Sequence, residues 1–321
     1  MQAGTTNRLF KQALLAAALV AVVFQAARGQ GANSKASVVA ETAVRAPAAG
    51  AADSNASDVA KTLKAAAEAL GLARWSGVGG QRLPEVDVIN TMEIWGSGTA
   101  YAPAASSKPG EPWTAYKTEY HVALGYNPPA MRVEMTRTAS GAAAGTARLH
   151  TIEVVRDAYA WDESQIGGGL VPGQGTATPA MSAAKARSLQ LWILPYGVIK
   201  AAVAAGDKTA LSTENGAQVL TFPLAGQLAG VTVKATLDAK LEVAKVETRS
   251  DNPALADLVT ETEYSGYADH GEIATDILSP ARVVRKQAGH PLMDLQIKTW
   301  DANNPYLVFP VPENVKQAAG H

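Results

Sequence analysis

The sequence predicts an α+β protein in which a curved antiparallel meander, forming an incomplete β-barrel, surrounds a kinked internal helix, with a further helix near the N-terminus. Successive strand-like segments are joined by links too short for the crossovers of a parallel sheet, which need about a dozen residues each. One long apolar segment with helical spacing separates two groups of strands. Because a sheet that is wet on one face must bury the other, we expect the sheet to bend around the helices.

Composition restricts the class of protein. The chain has 321 residues, 47% of them hydrophobic, and its 28 basic and 29 acidic residues give a net charge of −1. This balance creates no field that would gather phosphates, so we expect no nucleic-acid partner. The chain contains no cysteine, which excludes disulfides, thiolate catalysis and cysteine-bound zinc or iron–sulfur clusters.

The N-terminal residues have the three parts of a secretory signal peptide, which we assign to residues 1–29. Arg8 and Lys11 precede an uncharged apolar run from Ala13 to Phe24, and small residues follow. Such a pattern is typical of export, and export without cysteine favours a bacterial periplasm. The run is shorter than the ~20 residues that span a bilayer. An uncleaved anchor is the alternative, but we expect no integral membrane segment in the mature chain.

Two further regions follow the signal peptide. Residues 30–56 are rich in Ala, Ser, Gly and Asn without periodicity, which predicts a disordered leader, and residues 57–321 are predicted to form a single domain. The domain begins with a predicted helix from Asp58 to Leu70, where strong helix formers place apolar residues at helical spacing and Gly71 ends the run.

Strands are predicted where apolar and polar residues alternate between turn-forming residues. Turns such as Asn127–Pro128–Pro129 and Gly289–His290–Pro291 favour hairpins between neighbouring strands. We therefore expect a meander in chain order. The predicted strands are 86–95, 113–126, 131–138, 149–159, 217–223, 231–237, 241–249, 258–267, 281–287 and 292–300.

The segment from Thr178 to Gly206 is predicted to form the internal helix. Thr178 is a suitable N-cap and Pro179 a suitable first helical residue, since proline has no N–H to leave unpaired. Gly206 stands where a left-handed residue is favoured after a helix. Pro195 interrupts the segment, so either two short helices or one kinked helix is expected.

The inner face of the bent sheet beside this helix is the predicted ligand groove. Tryptophan and tyrosine bring large apolar faces with a polar tip, which suits an amphiphile as well as an ordinary core. Either role fits each residue. The candidate groove residues are Trp95, Trp113, Trp161, Leu189, Trp192, Ile193, Tyr196 and Ile199.

Motifs for catalysis do not occur, so the sequence predicts no catalytic residue, no metal site and no cofactor. No two of the five histidines lie within four residues of each other, so no tight turn or helix face presents a pair of metal ligands. Neither the G-x-S-x-G nucleophile elbow nor the G-x-x-x-x-G-K-[ST] phosphate loop is present. A scattered site, and with it an unrecognised hydrolase, stays as the alternative.

Charged residues allow two interpretations. Asp162 with Glu163, and Glu261 with Glu263, are spaced for acid–base work but equally for a turn or a solvated strand face. Arg282, Arg285 and Lys286 are interpreted either as a basic rim at the groove mouth that meets an anionic headgroup, or as residues that keep a strand edge soluble. Arg132, next to Met131 on an earlier predicted strand, allows the same two interpretations.

Several strings between Leu63 and Ala318 carry a resemblance. They are PAMRVEMTR at 129–137, AWDES at 160–164, LQLWILPYGVIKAA at 189–202, VETRSDNPALADLVTETEYSGYADHGEI at 246–273, RVVRKQAGHPLMDL at 282–295 and VPENVKQA at 311–318. In these strings the chain resembles the N-terminal region of exported bacterial proteins whose C-terminal half is a metallo-β-lactamase-fold hydrolase. The H-x-H-x-D-H signature of that hydrolase half is not in the sequence. In its order of helices and meanders the chain is also similar to the half-barrel of periplasmic lipoprotein-localisation carriers.

Two hypotheses follow for function. The first is an exported non-catalytic binding or carrier-type protein with an apolar groove for a lipid-like or other hydrophobic molecule. The second, implied by the resemblance, is an accessory module that acts through protein–protein contact with a separately encoded metallo-β-lactamase-fold hydrolase. A filled interior with an exposed apolar patch near the C-terminal VFPVPENV would favour the second.

Overall fold

The computed structural model describes residues 49–73, 86–102, 113–139, 148–250, 259–269 and 277–320. The predicted signal peptide, and the predicted leader up to residue 48, lie outside the described residues. The described chain is a mixed α+β structure built on one large, open, antiparallel sheet. This confirms the predicted fold class at that level.

Thirteen strands form the sheet within the described ranges, and a two-stranded ribbon stands apart from it. The ribbon pairs β12 (Ala268–Asp269) with β13 (Leu278–Ser279). From one edge to the other, the sheet contains β6 (Ala177–Pro179), β5 (Tyr159–Glu163), β4 (Arg148–Arg156), β3 (Pro129–Ala139), β2 (Thr114–Tyr126), β1 (Thr91–Ala102), β15 (His290–Ala302), β14 (Arg282–Gln287), β11 (Thr260–Ser265), β10 (Val243–Ser250), β9 (Val231–Leu237), β8 (Ala217–Pro223) and β7 (Ala210–Glu214).

Two meanders make up the sheet, and the last strand joins them. β1 to β6 follow chain order on one side, and β7 to β15 do so on the other, leaving out the ribbon. β15 pairs antiparallel with β1, so that Ile94 lies opposite Trp300. The first and last strands of the described sheet are therefore neighbours at its centre, and β6 and β7 are its edges.

Four α-helices occur in the described part of the chain. They are α1 (Ala49–Ala69), α2 (Ala184–Trp192), α3 (Pro195–Ala205) and α4 (Glu313–Ala319). Helix α1 begins before the predicted start at Asp58, inside the segment assigned to the leader, because the alanines that suggested disorder are also the best helix formers. Gly71 follows α1 with a φ of +69°, a conformation that favours glycine.

The predicted start of the internal helix is wrong. Thr178 and Pro179 belong to the edge strand β6, where Pro179 lies opposite Trp161 of β5. An edge strand tolerates proline because one side of it needs no ladder hydrogen bond, so strand pairing overrides the capping signal. Of the two alternatives left open at Pro195, two helices form: Pro195 begins α3, and the helices on either side of the break are bent by 94°.

The main core lies between the helices and one face of the sheet, which we call the inner face. Leu63 of α1 and Ile199 of α3 are fully buried there against strand residues such as Val233. Alternation along each strand decides which of its side chains enter this core, because neighbouring side chains point to opposite faces. Ile94 therefore faces the core, and Trp95 faces the other way.

A second, smaller core lies on the opposite, outer face. Residues 303–312, which we call the C-terminal strap, run across this face from β1 towards α4. The Asn303 N–H donates to the Thr91 carbonyl at 2.8 Å, and Arg156 Nη1 donates to the Phe309 carbonyl at 2.9 Å. Phe309 and Val315 pack there with Trp161. The strap thus seals part of the outer face from water.

Candidate functional site

The candidate site lies on the inner face beneath the break between α2 and α3. We call residues 193–195 the elbow. A cavity of about 30 Å³ remains between the elbow and the sheet, which is room for one or two water molecules and far below the ~300 Å³ of typical ligand pockets. Its lining residues are Ile94, Tyr120, Val122, Leu194, Pro195, Tyr196, Tyr264, Ser279, Pro280, Val283, Arg285, Met293, Leu295 and Ile297.

A larger crevice of about 290 Å³ opens to solvent between α1 and the β7–β8 hairpin. Across it, Thr62 Oγ1 donates to Gln218 Oε1 at 3.2 Å, and Asp58 and Lys61 on its rim are exposed. None of the buried polar atoms that lack a partner in the described residues belongs to its lining. The crevice is therefore the weaker candidate, because nothing in it converges on a bound molecule.

Five of the eight predicted groove residues lie beside the inner face. Ile193, Tyr196 and Ile199 are buried in the main core, and Leu189 and Trp192 pack against that core with part of their surface exposed. Only Tyr196 lines the cavity. These five residues thus lie on the helix side of the sheet, where most of them fill the interior.

The three strand tryptophans do not converge with them. Trp95 lies on the outer face, where its ring stacks on His121 with centroids 4.8 Å apart. Trp161 is fully buried in the outer core under the strap. Trp113 stacks on His290 at 5.3 Å. Strand alternation explains the positions of Trp95 and Trp161, since residues adjacent to inward-facing ones must point outward.

Two buried tyrosines attach the elbow to its surroundings. Tyr264 Oη donates to the Ile193 carbonyl at 2.7 Å, and Tyr196 Oη donates to the Leu278 carbonyl at 2.6 Å. Burial raises the pKa of both phenols, so both stay neutral donors at physiological pH. We call these two hydrogen bonds the elbow contacts.

Sequence reasoning placed Arg285 with the wrong group. Arg282 pairs with Asp294 at 2.7 Å in an exposed contact, and Lys286 pairs with Glu263 at 2.8 Å in a half-buried one. Arg285 points inward and is only 8% exposed. β14 is a central strand of the sheet, so neither a basic rim nor a strand edge describes these residues together. Residues two apart on a strand share a face, so Arg285 faces inward together with the apolar Val283. This spacing was the sequence signal that could have separated Arg285 from Arg282 and Lys286.

A polar network crosses the outer face near Trp95. His121 Nε2 lies 3.3 Å from Glu93 Oε1, and His121 Nδ1 lies 3.5 Å from Glu134 Oε2. His150 Nε2 lies 2.8 Å from Glu134 Oε1, and Asn304 of the strap donates to Glu93 Oε2 at 2.9 Å. Partial burial raises the pKa of Glu134, but the hydrogen bonds and charges of His150 and His121 outweigh it, so its pKa is lowered overall.

Replacing Glu134 with glutamine is expected to change the acid side of the stability profile. A carboxyl whose pKa is lower in the folded state stabilises the fold above its unfolded pKa, and this contribution is lost as the pH falls through the folded pKa. E134Q should therefore be less stable than the wild type at pH 7, with the difference shrinking between about pH 5 and pH 3. Urea unfolding at several pH values measures this. The exposed carboxylate variant E119Q is the control, and an equal E134Q deficit at every pH would contradict the assignment.

Three of the four carboxylates singled out in the sequence form ion pairs. Glu163 is buried and accepts a hydrogen bond from Arg132 Nε at 3.1 Å, and Asp162 contacts Arg187 Nη2 at 2.5 Å. Glu263 contacts Lys286. These contacts stabilise the sheet and its helices, and they hold the carboxylates apart from the cavity.

Lys200 of α3 is a further titratable group whose pKa is strongly shifted. Its Nζ donates to the Val86 carbonyl and lies 5.2 Å from the centre of the Tyr126 ring. Burial lowers its pKa to about 8, with the charge of Asp87 acting in the opposite direction. The Lys200 amine is already hydrogen-bonded to this backbone carbonyl, and Lys200 does not line the cavity.

In the ranges that the structure describes, no group of three or more His, Asp or Glu side chains is arranged to hold a metal ion. Among the same residues no single helix has the length and apolarity to cross a bilayer, although Met181–Trp192 and Pro195–Lys208 together, as a bent pair, have both. Comparison of the chain with protein-family models and with curated proteins found no match.

Proposed function

We propose that the protein is an exported, non-catalytic binding or carrier-type protein whose half-barrel holds a lipid-like or other hydrophobic molecule beneath the elbow. One observation carries the proposal: two residues that line an apolar cavity, Arg285 and Ser279, have a buried polar atom, Nε and Oγ respectively, for which the described residues provide no hydrogen-bond partner of normal geometry. Buried polar atoms in folded proteins are almost always hydrogen-bonded. Unpaired atoms beside unfilled space therefore favour a place for a ligand.

Binding requires the elbow to move. The cavity of about 30 Å³ cannot hold a lipid-sized molecule, and α3 closes it from above with Leu194, Pro195 and Tyr196. The elbow contacts are the polar bonds that resist opening, and each contributes about 0.5–1.5 kcal/mol net. Export to the periplasm is part of the proposal and is supported by the signal-like residues 1–29.

Removing both elbow contacts tests this function. Y196F with Y264F should raise the rate at which the protein takes up a hydrophobic fluorescent probe by about thirtyfold, since two hydrogen bonds of about 1 kcal/mol each are lost. Stopped-flow fluorescence measures the rate. Y267F is the matched control, because Tyr267 donates an equally short hydrogen bond of 2.7 Å to the Val243 carbonyl of β10, which is not one of the elbow contacts.

No probe uptake by the wild type or the double variant, together with a native mass free of any adduct for protein purified from periplasm, would contradict the carrier proposal. The accessory-module hypothesis is then favoured by the strap, where Tyr306 is 87% and Val308 67% exposed. Exposed apolar side chains side by side mark contact sites. A photo-crosslinker at Tyr306 should in that case label a metallo-β-lactamase-fold hydrolase, and one at the exposed Ala204 should not.

A further inference from the structure

We propose that Arg285 binds the carboxylate of an aliphatic acid whose hydrocarbon chain lies along the apolar inner face, an inference that rests on the proposed function. The guanidinium would be the anchor that fixes which end of the molecule enters the half-barrel first. Tyr120 and Ser279, which line the same cavity, are placed to contact the same headgroup.

Arg285 is a buried cation for which the described part of the chain provides no counter-ion. Arg285 is only 8% exposed, and its Nε has no hydrogen-bond partner among the described residues. Within the described residues no carboxylate forms an ion pair with it, whereas its strand neighbours Arg282 and Lys286 each have one. A buried charge is costly unless it is paired, so a site that keeps an unpaired guanidinium is expected to receive an anion.

The contacts inside the protein do not neutralise this charge. Tyr264 is the described group that interacts with the guanidinium most directly, and its hydroxyl already donates to the Ile193 carbonyl. Burial raises the pKa of Tyr120 and of Tyr264, with Arg285 opposing the rise in each case. Both phenols therefore stay uncharged, and the positive charge is left for a ligand.

The chemistry of the cavity selects a carboxylate. Arg285 is the one charged residue among the lining residues, so a single negative charge balances the site and a doubly charged phosphate would exceed it. A guanidinium fork matches the two oxygens of a planar carboxylate. The remaining space of about 30 Å³ admits a headgroup of that size before any movement of the elbow.

The surroundings of Arg285 suit an aliphatic chain. Val283 lies two residues away on the same face of β14, and Leu295 lies opposite Val283 on β15. Ile94 and Val122 continue the apolar surface towards the elbow. Each methylene placed there should raise the affinity about fourfold, the equivalent of burying one CH₂ group.

Isothermal titration calorimetry with hexanoate, octanoate, decanoate and methyl decanoate, below their micelle concentrations, tests the proposal. The wild type should bind decanoate about 10- to 100-fold more tightly than its methyl ester, as expected for a charged hydrogen-bonded contact, with affinity rising along the series. R285M should lose the preference for the acid and still bind the ester. R282M is the matched control, since Arg282 is exposed on the outer face of the same strand, and should behave as the wild type.

Equal affinity of the wild type for acid and ester, or an unchanged preference in R285M, would overturn the role of Arg285 and leave the proposed function intact. Binding of neither acid nor ester to the wild type would overturn both. The wild-type comparison needs no variant, so a poorly folded R285M does not prevent the test. Thermal unfolding adds a second readout: removing an unpaired buried charge should raise the Tm of R285M, whereas a purely structural arginine would lower it.

Discussion

Replacing Glu163 with alanine is expected to lower the free energy of unfolding by about 3–5 kcal/mol, the usual cost of leaving one partner of a buried ion pair alone. Glu163 accepts hydrogen bonds from Arg132 Nε at 3.1 Å, from Trp161 Nε1 at 3.0 Å and from the Gly167 N–H at 2.9 Å. Removal of the carboxylate leaves these three donors buried or half-buried without their acceptor. Urea denaturation followed by circular dichroism measures the loss.

The effect should extend to the strap. The Arg132 guanidinium lies 5.4 Å from the centre of the Phe309 ring, so a change in its position alters the packing of the strap on the outer face. The double variant E163A with R132M should recover much of the lost stability, because it removes the unpaired charge as well. E214Q, which removes an exposed carboxylate paired with Lys234, is the control and should have little effect. A small loss in E163A alone would show that Arg132 finds water or another acceptor.

The class of fold was predictable because it depends on features that the sequence carries locally. Alternating runs separated by turn residues define strands of a meander, and β8 to β11 follow the predicted order, whereas β7 at the edge was not predicted. The hairpin near Gly289 forms, but its turn lies at Ala288 and Gly289, both at positive φ, and His290 and Pro291 already belong to β15. The pairing of β15 with β1 was not predictable, since no local signal states which distant strands become neighbours.

Local signals failed where a tertiary contact competes with them. The Thr178–Pro179 cap pattern predicted a helix start, yet these residues complete the sheet against β5. The predicted strand 149–159 contains a turn at Asp157, where φ is +50°, and continues as the separate strand β5. Hydrogen bonding across the sheet outweighs single-residue preferences of about 1 kcal/mol.

The site itself was only partly predictable. Tyr196 was identified from the helical stripe and lines the cavity, whereas Trp95 and Trp161 were included because they are large and aromatic. Size does not say which face of a strand a residue occupies, but parity does: Trp95 follows the buried Ile94 and must point outward. Arg285 was missed as an interior residue because charged side chains are rarely buried.

Replacing Gly197 with alanine is expected to lower the free energy of unfolding by about 1–3 kcal/mol, the typical cost of overpacking. Gly197 lies in the first turn of α3, where the 94° bend presses it against the end of α2. An added Cβ would overlap the Leu191 carbonyl oxygen and lie 2.9 Å from Trp192 Cα. These are backbone atoms, so relief requires a shift of one helix against the other. Chemical denaturation measures the change in stability.

The sign of this effect separates packing from helix propensity. Glycine to alanine within a helix normally stabilises it by about 0.5–1 kcal/mol, so a gain of that size would show that the elbow has room and that its geometry is not fixed by Gly197. A204G, at an exposed position of the same helix, measures the propensity contribution alone. Because Leu194, Pro195 and Tyr196 form the roof of the cavity, the displaced helix in G197A should also admit a hydrophobic probe faster than the wild type, as the elbow variants do. Lower stability with unchanged uptake would locate the strain at the helix contact and separate it from access to the cavity.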